Sequence, residues 1–330
     1  MCRQEEIHAK RRAASHDLQA RAVSERGLRP PLDVLETDTA AAITAADAWT
    51  RREPQRAEAW FYLAGAYAPL VQLRVARGQR LAAARDGNRI RTALERARAL
   101  DPNLHDAQFG IGLYHYYADV APAAAKILRV LLLLPGGDRR QGLREMLEAR
   151  DRGELLRGEA DYQMHWLYLW YENQPQRALE LLRGLDARYP ANPVFLQRIA
   201  EVEDDYFHDH AASTAAWTTL LERAQSGRVS APAIAEVRAH LGLGAQLDAM
   251  QQTSRAIEHL TTVIARHPTA PANAELRAQV LLGTAYDHLG DRERALTAYK
   301  SALALTSTGD NADTWYARAR SGLQRPATRR

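Results

Sequence analysis

Apolar residues recur three and four positions apart along most of this chain, and they rarely alternate at every second position. That spacing predicts α-helices almost throughout. One stretch breaks the pattern: "RVLLLLPGGDRRQGL", residues 129–143. Pro122 suits the first turn of a helix, which Ala123 to Leu134 would continue. Leu131 to Leu134 cover every side of that helix end, which predicts burial between neighbouring helices. Pro135 cannot continue the helix, and Gly136 and Gly137 supply the backbone freedom of a tight turn. Asp138 then stands as an N-cap, with Gln141 three residues on, opening a helix from Arg139 to Ala149. The spacing thus predicts an atypical helix hairpin over 121–150. A phosphate-binding loop would need G-x-x-x-x-G-K-[ST] after a strand; the lysine, the hydroxyl residue and the strand are all missing.

A fixed frame underlies the helical pattern. In "LRAQVLLGTAYDHLGDRERALTAYKSAL", residues 276–303, Leu282, Gly283 and Tyr286 share one helix, Gly290 and Asp291 form the turn, and Ala295, Tyr299 and Ala302 share the next. Small residues allow close approach of two antiparallel helices, and tyrosine rings fill the space between them. The same frame recurs with Leu243, Gly244, Leu247, Ala256, Leu260, Val263 and Pro268, and again with Trp166, Leu169, Ala178, Leu182, Leu185 and Pro190. Trp60, Leu63, Ala64 and Tyr67 begin another copy, whose second helix (Ile90, Leu94, Ala97) comes late, as if about fourteen residues were inserted around "RVARGQRLAAARDG". Asp106 to Tyr117 starts a further first helix, and a weaker copy spans 193–224. Leu35 to Arg52 reads as a second helix lacking its partner, and Asn311 to Leu323 as a terminal capping helix. This L-G-x-x-Y…A-x-x-x-Y/F-x-x-A frame resembles the tetratricopeptide repeat. It predicts an all-α fold, an α-solenoid of antiparallel helix hairpins over 32–323, with a polar lead-in over 1–31 and a basic tail over 324–330.

The blocks "DAQFGIGLYHYYADVAPAAAKILRVLLLLPGGDRRQGL" and "GEADYQMHWLYLWYENQPQRALELLRGLDARYPANPVF" resemble a family of bacterial tetratricopeptide proteins. The shared features are a G-x-G-L-Y-x-Y-Y-A-D-V helix, an L-P-G-G-D-R turn and an A-R-Y-P-x-N-P-x-F end, over about residues 57–200. The animal and fungal tetratricopeptide 39 group is more distantly similar. The resemblance implies the architecture and assigns no activity. Members of the bacterial family often begin with an export signal, which this sequence does not show.

Composition narrows the function classes. A net charge of +4, with arginines and carboxylates interleaved along most segments, resembles solvated helix faces rather than the concentrated patch of a nucleic-acid binder. Cys2 is the single cysteine, so an internal disulfide and a cysteine-based zinc site are excluded. No apolar run reaches the ~20 residues of a membrane span. The opening residues carry no apolar signal region, so the expected location is the cytoplasm, or an exported one if the true start lies upstream.

Candidate chemistry is sparse. In "EDDYFHDHAAS", Asp204 and His208 share a helix face and could hold a metal with Asp209 or His210; the alternative is a polar turn between helices. His115 lies beside three tyrosines, yet no nucleophile, base and acid stand at a recognisable spacing. The expectation is a protein that is not an enzyme and uses no cofactor. In tetratricopeptide solenoids, positions 2, 5, 9 and 12 of each first helix face the concave groove. Here they include Glu58, Phe61, Asp106, Phe109, Tyr116, Gln163, Trp170, Asp248 and Asp287. The pattern points to a scaffold that binds a protein or peptide partner in that groove. Two other readings stand beside it: a carrier of an apolar ligand or lipid near the leucine-rich hairpin, and a homo-oligomer built on that hairpin's long apolar helix.

Overall fold

A computed structural model describes residues 32–121, 123, 126, 130, 135–306 and 311–328. Fourteen α-helices and no strand are found among the described residues. These residues group into two compact units, the first ending at Trp166 and the second beginning at Leu167. The lead-in of 1–31 and the four leucines of 131–134 lie outside the described residues.

In the first unit α1 (Leu32–Arg52), α2 (Ala57–Ala76), α3 (Arg80–Leu100), α4 (Ala107–Val120) and α5 (Arg139–Arg152) pack in sequence, each on the next. α6 (Arg157–Trp170) starts in this unit. Ala64, Ala93, Leu94, Ala107 and Ile111 form a core that joins α2, α3 and α4, with Trp60, Phe61 and Ile90 packed against it. The fourteen residues expected as an insertion do not form a loop. They lengthen both α2 and α3, which meet at a short turn where Gly78 takes φ +71°. The extended arms are tied by Asp86 of α3, completely buried, which pairs with both Arg74 and Arg89.

The tightest joint of this unit is the crossing of α4 and α5. A Cβ added to Gly112 would lie 2.7 Å from the Gly142 carbonyl oxygen, and one on Gly142 would lie 2.5 Å from that of Gly112. The two backbones therefore touch, and only glycine fits on either side. Ile111, Tyr116, Met146 and Ala149 are buried around this contact. The turn before α5 is pinned from α4: the Tyr114 hydroxyl donates to the Pro135 carbonyl at 3.0 Å, and Asp119 accepts from the Arg139 N–H at 3.0 Å. Asp138 caps α5 by accepting from the Gln141 N–H at 2.8 Å. That backbone bond holds its carboxyl below the usual carboxylate range. An added Cβ on Gly137 would collide with the His115 carbonyl.

The second unit is an array of eight complete helices, α7 (Pro175–Arg188), α8 (Pro193–Phe207), α9 (His210–Gln225), α10 (Pro232–Ala249), α11 (Thr253–Arg266), α12 (Ala274–His288), α13 (Arg292–Ala304) and α14 (Ala312–Gln324). Each packs on the next. Proline opens α7, α8 and α10, where its missing N–H costs nothing. Asn192, Asp209 and Asp291 cap α8, α9 and α13 through side-chain oxygens. Val237, Leu241, Leu260, Val263, Ala278 and Leu282 form one core, and Leu276, Val280, Ala295, Tyr299, Ala302 and Ala319 the next. The Tyr299 ring fills the space left by two glycines: a Cβ on Gly283 would lie 2.6 Å from it, and one on Gly322 of α14 would also overlap it. α14 packs on both α12 and α13, in the place expected of a capping helix.

These contacts fix an expected stability change. Gly142→Ala should destabilise the chain by about 1–3 kcal/mol in urea unfolding, because the α4 backbone cannot yield. Gly87→Ala in α3, where an added Cβ meets nothing within 4 Å, should be neutral or stabilising by up to about 1 kcal/mol. Equal effects of the two changes would contradict the backbone contact.

Candidate functional site

The residues expected to line a groove divide into two groups. Glu58 is exposed near the start of α2 and pairs with Arg56 at 3.5 Å. Phe61 is half-buried, lying against the α2–α4 core and edge-on to Tyr62 at 5.7 Å. Gln163 is half-buried on α6 and donates to Glu159 at 2.9 Å. Trp170, in the second unit, is half-buried at the end of α6. These four retain accessible surface.

The others belong to the interior. Tyr116 has no exposed surface, and Phe109 is buried. Asp106 precedes α4, and its carboxylate accepts from the backbone N–H groups of Glu154, Leu155 and Leu156 at 2.9, 3.0 and 2.7 Å. It satisfies donors at the entry to α6 that no helical carbonyl can reach. Asp248 accepts from Thr253 and from His288, both at 2.8 Å. The Asp287 side chain is fully buried and accepts from Arg292 at 2.9 Å, from the Tyr299 hydroxyl at 3.0 Å and from the Ala327 N–H at 2.8 Å. The expectation that Asp248 and Asp287 face the groove is therefore corrected: both carboxylates are consumed by donors between helices. Asp106, Phe109 and Tyr116 are corrected likewise, as a capping residue and two packing residues.

The two inner aspartates are part of a recurring joint in the second unit. Asp204, Asp248 and Asp287 stand near the ends of α8, α10 and α12. Each meets a residue at the start of its own following helix: His210 at 3.1 Å, Thr253 and Arg292. Asp204 and Asp248 also bind a side chain of the next first helix, Gln246 at 2.8 Å and His288. At Asp287 the corresponding donor is the backbone N–H of Ala327, just beyond α14. Arg292 extends the joint by donating to the Gly322 and Leu323 carbonyls at 2.7 and 3.0 Å, closing the end of α14. The sequence did hold a signal for this joint, an aspartate near the end of each of three first helices. The concave-face rule assigned two of these aspartates outward instead.

"EDDYFHDHAAS" forms the turn between α8 and α9. His208 ends α8 with φ 54°, and Asp209 accepts from the Ala212 N–H at 2.8 Å. Among the described residues no group of three or more His, Cys, Asp or Glu is arranged to hold a metal ion, and no helix is long and apolar enough to cross a membrane. His115 of α4 faces Glu145 of α5 at 2.7 Å, and Glu145 also accepts from Gln141 at 2.8 Å. The sequence reading missed one pair altogether. His240 of α10 and His259 of α11 meet through their Nδ1 atoms at 2.8 Å, a contact that requires at least one neutral ring. Burial, with the neighbouring His259 and Arg266, pushes His240 down to about 4, and burial also lowers His259. Burial pushes the Tyr299 hydroxyl up to about 12.

Residues 277–305, which span most of α12 and α13, match the family model of the tetratricopeptide repeat. No curated protein matches the sequence. Among solved structures, the chain is similar to one in the Cut9–Hcn1 hetero-tetramer of the APC/C, at 13% identity and TM-score 0.45, over 85% of this chain and 46% of that one. It is similar to yeast Tom70 at 13% identity and TM-score 0.46, over 89% of this chain and 61% of that one. It is also similar to the P58(IPK) TPR domain at 14% identity and TM-score 0.22, over 89% and 97%. The chain thus spans about half to three fifths of the first two solved chains it matches.

Two expectations follow. Asp287→Ala leaves three donors without their acceptor and should cost about 3 kcal/mol or more in urea unfolding, whereas an open groove position would change by under about 0.5 kcal/mol. The histidine pair sets a pH dependence. Because the folded pKa of His240 lies below the unfolded value, the unfolded chain binds more protons between about 6.5 and 4, so stability falls as pH drops through that window. His240→Leu should flatten the melting-temperature profile there, and an unchanged profile would contradict the assignment.

Proposed function

We propose that this chain, which carries a tetratricopeptide repeat within an all-α array of helix hairpins, is a non-enzymatic scaffold that holds a protein or peptide partner. The observation that supports this reading is where the ionisable side chains go. His105 pairs with Glu148, His115 with Glu145, His210 with Asp204 and His288 with Asp248, each across a helix junction. Groups that could perform acid–base work are used to join helices, and they do not converge on a cleft. Several arginines are likewise engaged with carboxylates or aromatic faces, as Arg223 is with Asp186, Arg266 with Glu236, and Arg277 and Arg318 with Trp315. A nucleic acid, which would need such cations free along one face, is not the partner we propose.

Partner contact is assigned to the accessible residues of the expected groove in the first unit: Glu58, Phe61 and Gln163. Leu131 to Leu134, beside which the apolar-ligand reading placed its site, lie outside the described residues.

The test uses a protein retained by the full chain from its native extract and then purified. Phe61→Ala should weaken its binding by about 2 kcal/mol, as expected for an aromatic anchor. Glu58→Arg, at an exposed position, should leave stability within about 0.5 kcal/mol and still weaken binding several-fold. Retention unaffected by both changes, in variants shown to be folded, would contradict this assignment.

A further inference from the structure

An open groove of about 670 Å3 lies between α1 and α2. From α1 it is lined by Asp38, Ala42, Ala45, Trp49 and Arg52, and from α2 by Tyr62 among others. Tyr62 is 53% exposed, with its ring stacked on Trp49 at 6.0 Å and 24°. At Gly65 in the floor, an added Cβ would meet nothing within 4 Å, so the floor is open as well. Asp38, Ala42, Ala45 and Arg52 are all exposed.

The spacing of the α1 residues is informative. Positions 38, 42, 45, 49 and 52 advance by four, three, four and three, the repeat of a helix seam that meets a second helix along its length. The seam is apolar in its middle, acidic at one end and basic at the other. Asp38 and Arg52 each stand seven residues from Ala45, and neither has an ion-pair partner among the described residues. A two-fold axis through Ala45, with two α1 helices antiparallel, would therefore bring Asp38 of each copy to Arg52 of the other, at both ends together. Alanines at the crossing allow close approach, and each Trp49 would fall beside Ala42 of the opposite copy. A parallel arrangement would set Asp38 against Asp38.

We propose that the α1–α2 groove is a self-association surface and that its occupant is α1 of a second copy of this chain, packed antiparallel about Ala45. An isologous contact must complement itself, and this face does so in charge and in shape. The inference is independent of the scaffold reading, which rests on other residues.

The test is sedimentation of the full-length chain over a range of concentrations. The wild type should form dimers. Ala45→Arg, at an exposed helix position that leaves the monomer intact, should raise the dissociation constant by about tenfold or more. Asp38→Arg or Arg52→Asp alone should each weaken the dimer several-fold, and the two together should restore it, because the charges are exchanged rather than lost. In a Cys2→Ser background, Ala45→Cys should give a covalent dimer on oxidation and Ala48→Cys should not, since only the residue on the axis meets its own copy. A monomeric wild type, or a dimer indifferent to Ala45→Arg and to the charge exchange, would overturn the proposal. So would loss of a different bound protein in Ala45→Arg with self-association unchanged.

Discussion

Helices can bring their backbones into contact only where neither carries a side chain at the crossing. This constraint governs the joints of both units. At Gly112 and Gly142 the contact is backbone to backbone, and the surrounding apolar residues are buried because the axes are close. At Gly283 and Gly322 the same absence of a Cβ makes room for the flat ring of Tyr299, which three helices share. Leu260 fills the corresponding space at Gly244. Packing of this kind leaves few voids, and it places the largest side chains between helices rather than on a face.

Close axes also decide where the polar groups go. Helix ends brought together must satisfy backbone donors and carbonyls that have lost water, and short carboxylates do this best. Asp106 serves three N–H groups, Asp287 serves two side chains and a backbone N–H, and Arg292 serves two carbonyls. A buried carboxylate with its full set of donors is held firmly and is poorly suited to release a proton or to exchange partners. The interior joints thus take up several of the acidic side chains that the sequence displays, among them Asp106, Asp248 and Asp287.

Much of this architecture is legible in the sequence because the repeat frame carries steric information. Leu282, Gly283, Tyr286, Ala295, Tyr299 and Ala302 name the packing positions of α12 and α13 directly, and Pro135, Gly136, Gly137 and Asp138 name a turn with its cap. The groove was less legible. A rule that assigns positions 2, 5, 9 and 12 to an outer face holds for hairpins of standard length and spacing. α4 instead meets α5 at Gly112, which turns Phe109 and Tyr116 inward. The aspartates were misplaced for another reason: a carboxylate reads as a surface residue until its donors are known, and those of Asp106 lie about fifty residues away in the chain. The His240–His259 contact shows no local pattern, since each histidine reads alone as a buried polar residue on an apolar helix.

The central claim is that end-of-helix carboxylates couple successive hairpins, and a double-mutant cycle on Asp248 and His288 tests it most directly. The two side chains meet at 2.8 Å between α10 and α12, and both are nearly buried. Urea unfolding of Asp248→Ala, His288→Ala and the double variant should give a coupling energy of about 1–3 kcal/mol. Additive effects, within about 0.3–0.5 kcal/mol, would show that the joint carries no energy and would contradict the account.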